Sequence, residues 1–488
     1  MLPSELVSLV DDIVHLRCET QHIELKRSQT EAPKRLYGTL SSFSNQKDGG
    51  IIIFGIYEHD NYSIPGVDDP QAVQQQVNNQ AKQMVPIVRP VFTVAEIDGK
   101  KVVSAEIAEC PIMEKPCYYA GAGRLKGSYV RVGDSDEPMT EYEVYSYEAF
   151  RQNTQDEKHP VLNATMHDLS GDRLTEYMLK IKRFKENLSQ LPLEKVLRLQ
   201  GITADGVPTI AGLMLFGEYP QAFFPQLSIT AMVIAGNTYS DIGQNDERFI
   251  DNKRIEGTIR QMYESAMNFI SRNTRQATII NENGERIDRP EYPPKAVREL
   301  VLNALIHRDY SIHTINSPIR ILLFKNRLEI ENPGGLYGRI TIDELGKMSA
   351  DTRNPFIAGA LEVLIETENR FSGIPTIYAE MEKASLLPPV FESQRGIFRA
   401  TLYNQGSVSM TADVAADDSE SAIMKKILSF CTEPRSKDEI AKHIGLSSVY
   451  YITSRYLQPL LESSQLRMTL PDRPKSKHQR YIAAQNRF

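Results

Sequence analysis

Glu299, Asn303 and His307 recur at intervals of four in ELVLNALIHRD (299–309), and on a helix that spacing stacks a carboxylate, an amide and an imidazole along one stripe. These groups can hold a hydrated Mg²⁺ through one or two protein oxygens and orient a water, the metal keeping its other waters and taking substrate phosphates. The helix that must carry them is written in the same stretch. Val297, Leu300, Val301 and Ala304 repeat at the spacing of a buried face, and Pro293 and Pro294 stand where a helix begins. A merely solvated polar stripe would have the same letters. The following segments favour chemistry: PIRILLFKNRLEIE (318–331) reads as a strand region and runs into Asn332-Pro333-Gly334-Gly335, and Ser372-Gly373-Ile374-Pro375 makes a second glycine turn ahead of an apparent helix. Backbone amides at such turns can cradle phosphate.

A second group of acids lies near the start. Glu19 and Glu24 fall in ETQHIELK (19–26), which alternates as an edge strand does, and Glu58 stands just past the buried strand IIIFGI (51–56). Three crowded carboxylates need protons or a cation to offset their repulsion. A divalent ion, Mg²⁺ or Mn²⁺, acting as Lewis acid on a phosphodiester is the natural companion, with Lys26 on a neighbouring phosphate. The plainer alternative pairs Glu24 and Lys26 with neighbours across the sheet. Arg124, Lys126 and Arg131, in GRLKGSYVRV (123–132), would suit a groove that tracks a nucleic-acid backbone, or are solvated strand charges.

At 488 residues the chain is too long for one core and suggests three or four domains. Its 41% hydrophobic and 24% charged content is that of an ordinary globular protein. No apolar run approaches the ~18 residues a membrane span needs, so no membrane partner is expected. The acidic N-terminus does not read as a signal peptide, and four dispersed cysteines fit reduced thiols, so a cytoplasmic location is expected. Charge is uneven. Residues 419–488 hold 12 Lys/Arg against 6 Asp/Glu, so a +6 tail follows 418 residues carrying −13 of the total −7. A basic tail on an acidic body is a localised footprint for nucleic acid.

In chain order, residues 1–14 predict a short amphipathic helix, and a further helix runs from Pro33 to Asn45 before Gly49-Gly50 breaks it. TIAGLMLFG (209–217) and LSITAMVIAG (227–236) read as two buried strands, and RIEGTIRQMYESAMNFISRN (254–273) as a helix. Residues 406–420 are small, polar and acidic, a linker. Beyond them SAIMKKILSFC is a helix, Ser436 caps a second with Glu439 completing a capping box, and SSVYYITSRYLQPLL makes a third that carries Arg455. A hairpin with a basic tip of Lys475, Lys477 and Arg480 closes the chain. This is the winged-helix arrangement, whose third helix would enter a DNA major groove while the tip meets phosphates; such domains also mediate protein contacts.

Two resemblances sharpen these readings. Glu19, Glu24, Leu25, Lys26, Asn45, Gly49, Gly50, Gly55 and Glu58 follow, in order and spacing, the pattern of the Schlafen-type AlbA-like domain over roughly residues 15–135. In Schlafen nucleases two Glu and an Asp at these positions cleave RNA, which implies a catalytic set of Glu19, Glu24 and Glu58 with Lys26. Residues ~290–405 resemble the divergent GHKL-type ATPase module of RecG-related proteins and transcriptional regulators. There the helical Glu and the metal-binding Asn match Glu299 and Asn303, and ENPGGL (331–336) stands where the superfamily has an Asp-x-Gly-x-Gly turn. The resemblance implies ATP and Mg²⁺ held by Glu299, Asn303, His307, Asn332, Gly334, Gly335 and Gly373, with Glu299 catalytic if ATP is hydrolysed.

The expected fold is multidomain α/β (α+β): a Schlafen AlbA-like domain over 1–140, a connector over 141–253, a GHKL-like α/β sandwich over 254–405, a linker over 406–420 and a winged helix over 421–488. The expected function is an ATP- and nucleic-acid-binding regulator, dimeric or larger, taking DNA at the winged helix and RNA or DNA at the N-terminal domain. The alternative is an ATP-regulated, metal-dependent endonuclease on tRNA or other structured RNA, in phage defence; a third is a degenerate ATPase fold kept for dimerisation. A P-loop helicase is excluded, because G-x-x-x-x-G-K-[ST] occurs nowhere.

Overall fold

The computed structural model describes residues 1–16, 20–242, 247–280, 286–348, 351–365, 373–404 and 426–444, and beyond these 456–457, 460–461, 465–470, 476 and 479–483. The first unit is a four-stranded sheet in the order Ile23–Lys26, Gly50–Phe54, Lys100–Ile107, Val91–Ile97, its first pair parallel and the others antiparallel. Gly50–Phe54 is buried along its whole length because both faces are covered. Ile51 and Ile53 pack with Leu6, Val10 and Ile13 of the opening helix Pro3–Leu16; Ile52 and Phe54 pack with Leu36, Leu40 and Phe43 on the other side. A Cβ on Gly50 would lie 2.4 Å from the Phe43 ring, so glycine sets how closely helix Tyr37–Asn45 approaches the sheet. Residues 129–138 form a hairpin, Tyr129–Val132 with Ser135–Pro138.

Helix Glu141–Gln152 leaves this unit through a capping box of Thr140 and Glu143. We call it the bridging helix. It leads to a larger unit with one continuous apolar core from Val161 to Leu402. A six-stranded sheet runs Phe249–Ile255, Ile229–Ile234, Ile319–Leu323, Arg327–Pro333, Ile397–Tyr403, Val390–Gln394. Ile229–Ile234 and Ile319–Leu323 are parallel, the rest antiparallel. The sheet therefore reaches back across the boundary expected at residue 254. Helices Ile259–Asn273, Pro294–His307, Pro355–Ile365 and Gly373–Lys383 supply apolar side chains to its core. Ion pairs such as Arg399–Glu331 at 2.8 Å lie elsewhere on the sheet.

Two expected elements differ. Ile210–Phe216 is a fully buried helix and not a strand, capped by the Thr209 hydroxyl, which accepts from Gly212 N at 3.0 Å. A short run that is apolar throughout has no periodicity to tell a buried strand from a buried helix turn. The helix expected from Arg254 begins at Ile259, since Arg254 and Ile255 finish an edge strand and Gly257, at φ +112°, turns the chain into the Thr258 cap. In the C-terminal part, helix Lys437–His443 starts with the expected box: Glu439 N donates to Ser436 Oγ at 3.2 Å and Ser436 N to Glu439 Oε2 at 2.7 Å. Leu466–Met468 pairs antiparallel with Tyr481–Ala483. Arg455, Lys475 and Lys477 lie outside the described residues, as does Glu19.

Candidate functional site

Helix Pro294–His307 buries Ala296, Val297, Leu300, Val301, Ala304 and Leu305, which fixes the direction of its polar stripe. Glu299, Asn303 and His307 are half-buried along it. Gly373, seventy residues further on, is the first residue of helix Gly373–Lys383 and sits against the stripe. A Cβ there would stand 3.2 Å from Asn303 Nδ2 and 3.3 Å from Glu299 Oε2. The fold thus brings together Glu299, Asn303 and Gly373. Burial raises the Glu299 carboxyl above its ordinary range, and the charge of Arg298, whose Nε is 3.9 Å away, pulls it back in part. Asn303 has no hydrogen-bond partner among the described residues. A half-buried acid short of positive charge beside an unengaged amide is a donor set that fits Mg²⁺. His307, pushed down to about 4 by burial and by the Arg353 charge, is a neutral imidazole at pH 7.

The glycine turn after Arg327–Pro333 is built differently from the expected cradle. Gly334 N donates to Gly396 O at 2.8 Å, Gly335 N to Tyr142 Oη at 3.2 Å, and Leu336 N to Ser393 Oγ at 3.1 Å. Its amides are taken within the chain. Asn332 is buried, and its Oδ1 has no partner among the described residues. Gly334, at φ +111°, lets the turn close on a buried ion pair: a Cβ would meet Asp309 Cβ at 2.7 Å and Arg353 Nη1 at 2.8 Å. Asp309 and Arg353, 2% and 4% exposed at their side chains, pair directly. Sequence reasoning did not single out Asp309, Arg353 or Tyr142. Asp309 adjoins the polar stripe, two residues past His307, and was the nearest to being found.

In the N-terminal unit Glu24 is buried, and both carboxylate oxygens face cations. Lys26 Nζ pairs with one, and Arg131 Nη2 lies 2.8 Å from the other. Arg131, 1% exposed at its side chain, also reaches Asp136 at 3.1 Å, and Asp136 accepts from Ser42 Oγ at 2.5 Å and Thr39 Oγ1 at 2.6 Å. Arg131 is therefore an interior ion-pair residue and not the groove cation expected; its strand turns it inward beneath the Phe43 ring. Glu58 lies in a short 3₁₀ turn beside His59, at 3.3 Å. Among the described residues no group of three or more His, Cys, Asp or Glu is arranged to hold a metal. With a cation facing each oxygen, though Oε2 accepts no hydrogen bond among the described residues, Glu24 is already charge-compensated and does not fit a metal ligand here. Arg124 pairs with Glu148, Lys126 is exposed, and Arg480 reaches Pro434 O at 3.5 Å.

Residues 19–140 match the family model "Schlafen, AlbA_2", and residues 316–402 match "Putative ATP-dependent DNA helicase recG C-terminal". The chain thus joins a segment similar to a Schlafen AlbA domain to one similar to a RecG-related C-terminal domain. The second half of the bridging helix, from residue 147, opens a third match, to a domain of unknown function over 147–230, and residues 423–482 match the "Filamentation induced by cAMP protein Fic-like, C-terminal domain". Among solved structures, the DIP2311 protein from Corynebacterium diphtheriae is 18% identical, with 99% of this chain and 97% of that one covered and a TM-score of 0.39. The N-terminal domain of a RecG-related protein from Nitrosomonas europaea is 27% identical over 27% of this chain and 90% of that one, at a TM-score of 0.21. No curated protein matches the chain. Among the described residues no helix is long and apolar enough to cross a membrane. The model match to the RecG-related domain begins at residue 316 and so leaves Glu299 and Asn303 just upstream of it.

Proposed function

We propose that the chain is an ATP-responsive regulator that binds nucleic acid, with Mg-ATP taken at the Glu299 helix and nucleic acid at the Schlafen AlbA domain and the basic C-terminal part. One observation carries the nucleotide reading: Gly373 at a helix N-terminus lies against Glu299 and the unengaged Asn303 amide. Asn303 would hold the metal, Glu299 would orient the water around it, and the amides opening helix Gly373–Lys383 would face phosphate. Bound Mg²⁺ would supply charge neutralisation at the phosphates. Nucleic acid would meet exposed Lys126 and half-buried Arg480, Arg455 in the expected third helix, and Lys475 and Lys477 in the tail. Association into a dimer or larger assembly would follow the habit of GHKL-type modules and belongs to this proposal, as does the winged-helix form of the tail.

The state of Glu24 favours this reading over a nuclease, because its carboxylate is neutralised by Lys26 and Arg131 and accepts no further cation without losing one of them. Calorimetry tests the nucleotide site. Asn303→Ala is expected to lose Mg-ATP binding at least tenfold, and unchanged affinity would remove the Glu299 helix as the site. Incubation of the full chain with labelled tRNA, single-stranded DNA and duplex DNA in Mg²⁺ or Mn²⁺ is expected to give shifts on native gels without cleavage. Discrete metal-dependent cuts that vanish in Glu24→Gln would establish the nuclease instead.

A further inference from the structure

This inference rests on the Glu299 helix being a nucleotide site and concerns how that site is coupled to the rest of the chain. Tyr142 opens the bridging helix, its backbone fixed by the Thr140–Glu143 capping box. Its hydroxyl accepts from Gly335 N and from Arg353 Nη1, each at 3.2 Å. Arg353 in turn pairs with Asp309 and donates to Gly335 O at 3.3 Å. One phenol thus receives a glycine-turn amide and the arginine that neutralises the residue just past the Glu299 helix. Burial pushes this phenol up to about 12, so it stays a neutral hydroxyl. Gly396, at φ +77°, lets a neighbouring turn reach the Tyr142 ring, where a Cβ would stand 2.5 Å from Cδ1.

The other side of Tyr142 leads to the Schlafen AlbA domain. Its helix follows directly on strand Ser135–Pro138, whose Asp136 holds Arg131 and, through Arg131, Glu24. Glu137 of the same strand pairs with Arg395, the neighbour of Gly396. From Glu24 to Asp309 the two units are therefore joined by polar contacts linked through short stretches of backbone. A buried ion pair such as Arg353–Asp309 is weak as a source of net stability, and fixing one arrangement against another is its best-attested use.

We propose that Tyr142 is a positioning residue that couples nucleotide occupancy at the Glu299 helix to nucleic-acid affinity of the Schlafen AlbA domain. In the ligand-free chain its hydroxyl holds Gly335 N and Arg353. A nucleotide arriving at the turn offers acceptors to the same two donors, and binding it releases the bridging helix. Coupling of this kind requires that nucleotide bind the two arrangements unequally.

The test measures fluorescence anisotropy of labelled duplex DNA and single-stranded RNA on the full chain, with and without Mg²⁺ and a non-hydrolysable ATP analogue, while calorimetry follows the analogue itself. In wild type the nucleic-acid Kd is expected to change about fivefold or more with nucleotide. In Tyr142→Phe both ligands still bind, but that change falls below twofold. Arg395→Ala, exposed and outside both sites, is expected to reduce it in the same direction, its exposed ion pair contributing little to the fold. A wild type that binds both ligands with no linkage overturns the coupling and leaves the functional reading standing. So does a full fivefold change in Tyr142→Phe or, should that variant not fold, in Arg395→Ala. A wild type that binds no nucleotide overturns the reading of the Glu299 helix and the coupling with it.

Discussion

Glu24 and Glu299 are both acids that spacing marks as chemical, and the fold treats them oppositely. Glu24 lies on an edge strand with a cation on each oxygen, Lys26 from its own strand and Arg131 from a hairpin more than a hundred residues away. Glu299 lies on a helix stripe, with Arg298 3.9 Å off and beside it the Asn303 amide, which has no partner among the described residues. The first arrangement is closed by its own neighbours; the second is left wanting a cation. Carboxylates alone do not make a site. What distinguishes one is the charge that the surrounding structure withholds.

The largest effect that would break this comparison is Arg131→Ala. Removing one partner of a buried ion pair leaves the other charge uncompensated, at a cost of roughly 3–5 kcal/mol. Urea unfolding should show a loss of that size in the N-terminal unit. If stability holds and nucleic-acid affinity drops instead, Arg131 is a contact residue and Glu24 is freer than its pairing implies.

A third acid sharpens the contrast. Glu157 is fully buried and accepts from Phe356 N at 2.9 Å and Ile357 N at 2.8 Å at the start of helix Pro355–Ile365. Burial outweighs those two bonds and lifts its carboxyl from 4.5 to about 7. Below about pH 4.5 the folded and unfolded chains both carry the proton, and the contribution is fully present. As pH rises from about 4.5 to 7 the carboxyl ionises in the unfolded chain but keeps its proton in the folded one, and about 3 kcal/mol is lost by the time the folded group ionises. His307 works the other way: its lowered pKa makes stability rise with pH between about 4 and 6.5. Glu157→Gln should therefore gain on wild type steadily between about pH 4.5 and 7, reaching about 3 kcal/mol by pH 8. Parallel profiles would mean that Glu157 is ionised at neutral pH, as a helix cap with solvent access would be.

Much of this was legible beforehand. The Glu299 helix, its buried face and its polar stripe follow from periodicity, and the capping box at Ser436 follows from two letters three apart. The grouping of Gly373 with Asn303 and Glu299 came only from the resemblance; the residues alone gave a helix stripe and a separate glycine turn, because nothing local records which helices pack together. The fate of Arg131 was not legible at all. Whether a strand cation faces solvent or the interior depends on the helix behind it, here the one carrying Phe43, Thr39 and Ser42. Tyr142 and Arg353 were hidden for the same reason: each acquires meaning from a partner about two hundred residues away.

The smallest change tests the open site most directly. Gly373 opens a helix without a positive φ, so alanine is allowed by the backbone and is about 1 kcal/mol the better helix former where the position is interior. Its Cβ, however, would stand 3.2 Å from Asn303 Nδ2 and 3.3 Å from Glu299 Oε2, closer than ordinary contact, so both groups must give by a few tenths of an ångström. Gly373→Ala should leave the thermal midpoint unchanged or slightly raised while weakening Mg-ATP binding several-fold by calorimetry. Opposite signs in the two measurements separate a disturbed ligand set from a damaged fold. A parallel loss of both would show that Gly373 is needed for packing, and an unchanged affinity would show that Asn303 and Glu299 do not contact the nucleotide from this side.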